Sequence, residues 1–250
     1  MQIRFYDNDK NNFEGMAAMG IDTFLVDETI PNSIFSSSDD SPSFQTYFTL
    51  MKKAFTTSQQ KEYFRYLENN FNFATLPLPC EGLTAKQCID IEKWVTPKLP
   101  RNRLLLLDWD RTLTAVEGYF TSPHETKHLQ EAEFQFIFGS STRLDRIQSM
   151  INTCFHYKVP VYILTNNTGA QEDKNYFVQF MRLLSPHFSE QHLLPSSQSP
   201  SKAHFLKEYF KKKKEQEESK KTQPGRKNTE KTQKKHRKKK KAVTLESLKR

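Results

Sequence analysis

The sequence predicts an α/β fold: a three-layer arrangement with a parallel sheet between helices, followed by a disordered basic C-terminal tail. Three observations predict it. Apolar runs ending in acids or hydroxyls recur as MQIRFY, RLLLLDWD and VPVYILTNN, and runs without alternation suit strands buried on both faces. Helix-like stretches separate these runs, so strands alternate with helices. From residue 211 onward there are eighteen Lys or Arg against five Asp or Glu, with no apolar period.

The elements follow in order. MQIRFY reads as a short buried strand. DNDKNNFEGMAAMG reads as a turn and a helix, with Gly20 as the helix stop. IDTFLV is a second strand, so the chain opens as strand, helix, strand, the unit that builds parallel sheets. SSSDDSPS, residues 36 to 43, is a loop or link. Between 43 and 73 Phe and Tyr recur at near-helical spacing, which predicts two helices with aromatic side chains packed on the sheet. GLTAKQCIDIEKWV predicts another helix with Thr84 as N-cap.

RLLLLDWD, after Pro100, is the clearest strand, a central one. TSPHETKHLQEAEFQFIF starts a helix capped by Thr121 or Ser122, with Pro123 in its first turn. STRLDRIQSMINTCFHYK is a further helix, and VPVYILTNN a further buried strand. A helix spans about 171 to 184 on the same apolar-period reading. HLLPS is a weak strand and SKAHFLKEYF a short helix.

Hydrophobic residues make up 36% of the 250 residues and mean hydropathy is −0.76, so part of the chain lies outside any packed core. Residues 211 to 250 carry +13 on balance, which leaves −4 for residues 1 to 210 of the chain's +9. High charge with low hydrophobicity cannot offset the entropy of ordering, so the tail is expected to be disordered. Within it KKHRKKKK, 234 to 241, suits a nuclear import signal. Residues 211 to 241 also suit non-specific nucleic-acid contact, which counterion release makes salt-sensitive.

Cys80, Cys88 and Cys154 have no metal-like spacing and read as reduced thiols of an intracellular protein. Arg4, Asp7 and Asp9 interrupt any secretory leader. The longest aliphatic run, Leu104 to Leu107, is far short of a membrane span.

The chemistry is expected at LLLLDWDRTLT. Asp108 and Asp110 follow a buried strand and flank one residue, which places both on one side of the turn. Two close carboxylates repel, and a divalent cation keeps both ionised. Alternatively they are solvated acids that cap the next helix. VPVYILTNN ends in Thr165, Asn166 and then Gly169, where a hydroxyl and free N–H groups can cradle an anion. Lys202 opens a later helix, a charge able to balance a phosphoryl group.

These stretches resemble the motifs of the haloacid dehalogenase (HAD)-like superfamily. LLLLDWDRTLT resembles its first motif, an apolar strand ending in DxDxT. VYILTNN resembles the second, and Lys202 fits the third, with Lys174 and Lys207 as alternatives. The family's fourth motif, an apolar strand ending in two acids, has no counterpart after Lys202. IRFYDNDKNNFEGMAAMGIDTFLV is similar to it at the other end, with Asp7 followed by Asn12, a helix, a Gly and a strand. Asn8 stands where that motif has its second acid, and Asp9 comes one place late. The resemblance covers roughly 3 to 27 and 102 to 210 and implies a circularly permuted, Rossmann-like domain. DWDRTLT with FYDND is also similar to HAD-like proteins of large DNA viruses.

The implied organisation is 1 to 30 as the displaced first part and 31 to 100 as a helical insert packing on the body. Residues 101 to 210 supply the rest, with a small flap at 113 to 160, and 211 to 250 the tail. The implied activity is a Mg²⁺-dependent phosphohydrolase acting on a phosphoester. Asp108 is its nucleophile, Asp110 its acid and base, and Thr165 and Lys202 hold the phosphoryl oxygens. Asp7, Asp108 and the backbone carbonyl of Asp110 hold the metal. A non-catalytic HAD-like binding protein, tethered to nucleic acid or another partner by its tail, is the alternative.

HETKH, His124 to His128, matches a zinc-peptidase pattern, but it opens a polar first turn and no third ligand follows nearby. A solvated helix start fits it better. Trp109 is expected to pack under the site and Trp94 in the body; His156 and His204 read as ordinary helix residues.

Overall fold

The structure, a computed structural model, describes residues 1–26, 43–54, 57–70, 72–75, 78–96, 102–116 and 137–221. Five strands, β1 (Gln2–Asp7), β2 (Asp22–Leu25), β3 (Arg103–Leu107), β4 (Val161–Thr165) and β5 (Leu193–Pro195), form one sheet. Every pairing is parallel, and the order is β2-β1-β3-β4-β5. The protein is an α/β protein with a parallel sheet, as the alternation of strands and helices predicts.

The helices are α1 (Phe13–Ala17), α2 (Phe44–Ala54), α3 (Ser58–Asn70), α4 (Ala85–Val95), α5 (Ser141–His156), α6 (Thr168–Glu172), α7 (Lys174–Leu184) and α8 (Lys202–Lys221). All five residues of β3 are buried, and side chains alternate between the faces of a strand. Leu105 and Leu107 join a large apolar cluster with Phe48, Phe64, Ile91, Ile147 and Phe177 of the helices. Leu104, Leu106 and Phe5 are buried apart from that cluster. Phe5 meets Phe13 of α1 edge-on at 6.4 Å. Helices therefore cover both faces, and burying each leucine contributes about 1.5–3 kcal/mol in transfer terms.

Local chemistry sets the helix ends. Gly20 has φ +73 and its N–H reaches the carbonyl of Ala17 at 2.9 Å, a left-handed stop that favours glycine. Thr84 and Gln87 form a reciprocal capping box at α4. The single helix expected at about 171 to 184 is two helices. Asp173 breaks it with φ −138, and its carboxylate accepts the N–H of Tyr176 at 2.9 Å. Phe44, Tyr47, Phe48, Phe64 and Phe73 are buried in the main cluster, so the aromatic stretch packs as expected.

Two expectations are overturned. The flap at 113 to 160 cannot include α5, because Ile147, Met150, Ile151 and Cys154 recur at helical spacing and are buried. Disorder from residue 211 is also contradicted: α8 runs on to Lys221. Lys, Glu and Gln are good helix formers, and Lys214 and Glu218 lie 4.0 Å apart one turn on. The helix expected over 121 to 138 lies outside the described residues except for its last two positions, and HETKH and the tail beyond 221, with KKHRKKKK, fall outside them altogether.

The chain divides into two units, Met1–Phe205 and Leu206–Arg250. The first holds the sheet. In the second, the described residues are the continuation of α8 through four successive lysines, 211 to 214. Among the described residues no helix is long and apolar enough to cross a membrane.

The three cysteines are buried and free. Burial pushes the Cys88 thiol up to about 11 and that of Cys154 to about 12, and raises Cys80 too. At pH 8 the folded protein should leave a thiol-reactive disulfide reagent such as Ellman's unreacted, while denatured chain should titrate all three thiols. Absorbance of the released thiolate measures both.

Candidate active site

The site lies where β1 and β3 end side by side. Their register pairs Tyr6 with Leu107, so the next residues, Asp7 and Asp108, arrive level. The Asp108 N–H donates to the Tyr6 carbonyl at 3.0 Å, which carries the pairing past the last strand residue. Asp7 is fully buried and Asp108 is 4% exposed. Asp7 lies two residues past Phe5 and Asp108 two past Leu106, so both acids leave the sheet on the α1 face.

Lys202 answers them. Its Nζ donates to Asp7 Oδ2 at 2.8 Å and to Asp108 Oδ1 at 2.5 Å, and it is 3% exposed. It opens α8, where Ser201 Oγ accepts the N–H of His204 at 3.1 Å as a helix cap does. A Cβ at Gly15 would stand 2.6 Å from the Cβ of Ala203, so α1 and the first turn of α8 pack too closely for any side chain at position 15. That closeness seats Lys202 over the acids. Lys174 and Lys207, the alternatives, are exposed.

Asp7 has further donors. The Asp9 N–H reaches Oδ1 at 2.8 Å and Asn12 Nδ2 reaches Oδ2 at 2.9 Å. The Asp9 side chain turns away to cap the next turn, accepting from the Asn11 N–H at 2.9 Å. Asp9 is thus no second acid for the site, and Asn12 supports Asp7 instead.

Two buried carboxylates share one ammonium, and the imbalance shows at Asp108. Burial raises the Asp108 pKa to about 7, with Asp7 adding to the rise and Lys202 opposing it. Burial works against the charge on Lys202 as well, but the pull of Asp108 and Asp7 outweighs it and its pKa is raised. The cluster as built lacks positive charge.

The loop after Asp108 is held from several directions. Residues 109 to 113 form one wide turn in which Arg111 takes a left-handed φ of 57, a strained state for a non-glycine residue that costs about 1–3 kcal/mol. Arg143 of α5 counters it. Its guanidinium donates to the carbonyls of Thr112 (2.9 Å), Leu113 (2.6 Å), Phe138 (2.9 Å) and Glu81 (2.5 Å). Burial pulls its pKa down to about 10, so it stays charged at neutral pH. Gly82, with φ +62, leaves the room: a Cβ there would lie 2.3 Å from Arg143 Nη2 and 2.5 Å from the Thr112 carbonyl. Trp109 is fully buried and packs against Phe138 and Phe177, under the site as expected.

At the end of β4 Thr165 is fully buried, and its Oγ1 accepts the Asn167 N–H at 3.0 Å. Asn167 Nδ2 lies 3.3 Å from both carboxylate oxygens of Asp110. Of the residues picked from sequence, Asp7, Asp108 and Lys202 therefore bond directly, while Asp110 and Thr165 are joined through Asn167. Asn167, Arg143 and Gly82 were not picked. The second Asn of TNNTG was the one available signal, since Arg143 and Gly82 act through backbone carbonyls that no side-chain motif marks.

Comparison of the chain with protein-family models, with curated proteins and with solved structures gives no match. What the site can do rests on its own geometry. Among the described residues no three acidic, imidazole or thiol side chains form a ready metal cage. A cation at Asp7 and Asp108 would be held by two carboxylates, backbone carbonyl and waters, the manner of Mg²⁺. The excess negative charge around Lys202 fits such a cation. A cavity of about 390 Å³ lined by Arg4, Tyr6, Phe24 and Trp94 opens on the other face of β1, away from the acids. There the Arg4 guanidinium lies over the Phe24 and Trp94 rings at 4.9 and 4.7 Å.

Lys202→Met would leave two buried carboxylates without their cation. In metal-free buffer it should lower unfolding stability by about 3–5 kcal/mol, measured by urea titration. Adding Asp108→Asn should recover part of the loss, since the two side chains are coupled. Gly82→Ala should destabilise too, by driving Arg143 off its carbonyls.

Proposed function

We propose that the chain is a Mg²⁺-dependent phosphohydrolase of the HAD-like type, built on a circularly permuted Rossmann-like sheet. The observation that carries this reading is Lys202 Nζ bridging Asp7 and Asp108 at the ends of adjacent parallel strands. The order β2-β1-β3-β4-β5 supports it. Such a permutation requires this sequence of outer neighbour, fourth-motif strand, first-motif strand, second-motif strand and third strand.

In this reading an Asp108 carboxylate oxygen attacks phosphorus and the bond to the leaving oxygen breaks, with Asp110 supplying that oxygen's proton. Water then attacks the aspartyl phosphate, Asp110 takes the water's proton, and the Asp108 carboxylate is regenerated. Lys202 and the Thr165 hydroxyl hold phosphoryl oxygens. Charge is spread over these oxygens in a loose transition state, so fixed donors lower the barrier. Mg²⁺, held by Asp7, Asp108 and the Asp110 carbonyl, would add positive charge where Lys202 alone falls short. Asn8 replaces the motif's second acid, and Asn12 with the Asp9 N–H orients Asp7 in its place.

A binding role without chemistry, with the tail as tether to nucleic acid, is the second reading. What favours it is Asn8, which stands where the fourth motif has its second acid.

One assay separates the two. Full-length protein with Mg²⁺ should release nitrophenol from 4-nitrophenyl phosphate, and Asp108→Asn should reduce the rate by roughly 10³-fold or more, as loss of a covalent nucleophile does. Chelation by EDTA should stop the wild type. An inert wild type across aryl and alkyl phosphoesters, or an active Asp108→Asn, would overturn the enzyme reading.

A further inference from the structure

We infer that Asn167 is a positioning residue that aims the Asp110 carboxylate for the second half of the reaction, the hydrolysis of the aspartyl phosphate. The inference rests on the phosphohydrolase reading and adds a residue to it.

Asn167 is 8% exposed, and each of its polar groups is engaged. Its N–H donates to Thr165 Oγ1 at 3.0 Å and its Oδ1 accepts the Gly169 N–H at 2.9 Å. With Oδ1 fixed at the start of α6, the amide cannot flip, and Nδ2 must point outward. It points at Asp110, equidistant at 3.3 Å from both carboxylate oxygens. Asp110 itself follows closely on the end of β3. It lies in the wide turn after β3, between fully buried Trp109 and left-handed Arg111. Arg143 secures the far side of that turn, at the carbonyls of Thr112 and Leu113.

The chemistry follows from the donor. An amide that donates to both oxygens suits the carboxylate form, the one that takes a proton. In the second step water attacks phosphorus, Asp110 accepts the water's proton, and the bond from phosphorus to the Asp108 oxygen breaks with its electron pair returning to Asp108. A base turned even slightly from the attacking water loses much of its effect. The first step on an aryl phosphate with a good leaving group needs little help from an acid, so it depends far less on how Asp110 is aimed. Asn167 also ties Asp110 to Thr165, so the loops after β3 and β4 hold the phosphoryl site as one unit.

The test uses full-length protein, Mg²⁺ and 4-nitrophenyl phosphate in a rapid-mixing experiment. Asn167→Asp keeps the shape and the acceptor for Gly169 but removes the donor; Asn167→Ser removes it without adding charge. For both variants the expected result is a first-turnover burst within about 3-fold of wild type and steady turnover reduced about 10–100-fold, part of the range that a general base supplies. KM should not rise, and phosphoenzyme trapped by acid quench should accumulate. Burst and turnover falling together, or neither changing, would overturn the inference. A variant that fails to give a native circular dichroism spectrum is judged by the other, and two such failures would make Asn167 structural and overturn it as well. An inert wild type is a different outcome, since it removes the phosphohydrolase reading and this inference with it.

Discussion

Two carboxylates that cannot both be charged in a dry place without help are the constraint on which the rest depends. Asp7 and Asp108 are set at the ends of neighbouring strands by a register that the buried leucines of β3 enforce. A slip of one residue would turn the acid of the slipped strand to the other face of the sheet, away from its partner. Only a cation can then complete the corner, and Lys202 supplies it from a helix that begins at the right height. The close approach of Gly15 and Ala203 is part of the same requirement, because a thicker contact would lift the ammonium off its partners. Sheet, helix start and glycine therefore serve one electrostatic purpose.

The segment beyond Asp108 answers a different demand. The turn there includes Arg111 in a left-handed conformation that it would not choose alone. Arg143 holds it through four carbonyl oxygens from three separate stretches of chain. Such a guanidinium works like a rivet: its five N–H groups lie in one plane and can gather several backbone carbonyls at once. Its charge is tolerated in the interior because every acceptor around it is a dipole turned inward.

Most of the fold was legible in the sequence because burial on both faces erases alternation, and RLLLL and VYILT show that plainly. The cap at Thr84 and the stop at Gly20 were legible for equally local reasons. The acids and Lys202 were visible because charged side chains at apolar strand and helix ends stand out. What was not visible acts through the backbone or through distance. Arg143 sits in a helix whose other residues follow an ordinary apolar period. Asn167 becomes relevant only when β3 and β4 lie side by side. The break at Asp173 was missed because an apolar period continues across it, and the extent of α8 because its stability comes from propensity and neighbouring charges, with no apolar stripe to mark it.

The position of β1 has a consequence for how the molecule comes into being. It is an interior strand, yet Ile3 must wait for Leu104 to emerge before its inner side can be paired, and Asp7 waits for Lys202, 195 positions further on. While the ribosome is at work, the parallel pair of β1 and β2, joined through α1, therefore leaves the inner edge of β1 open, a surface prone to stray pairing. Assembly is governed by contacts far apart along the chain, which slows folding. The acidic corner becomes whole only once Lys202 has emerged and reached Asp7 and Asp108.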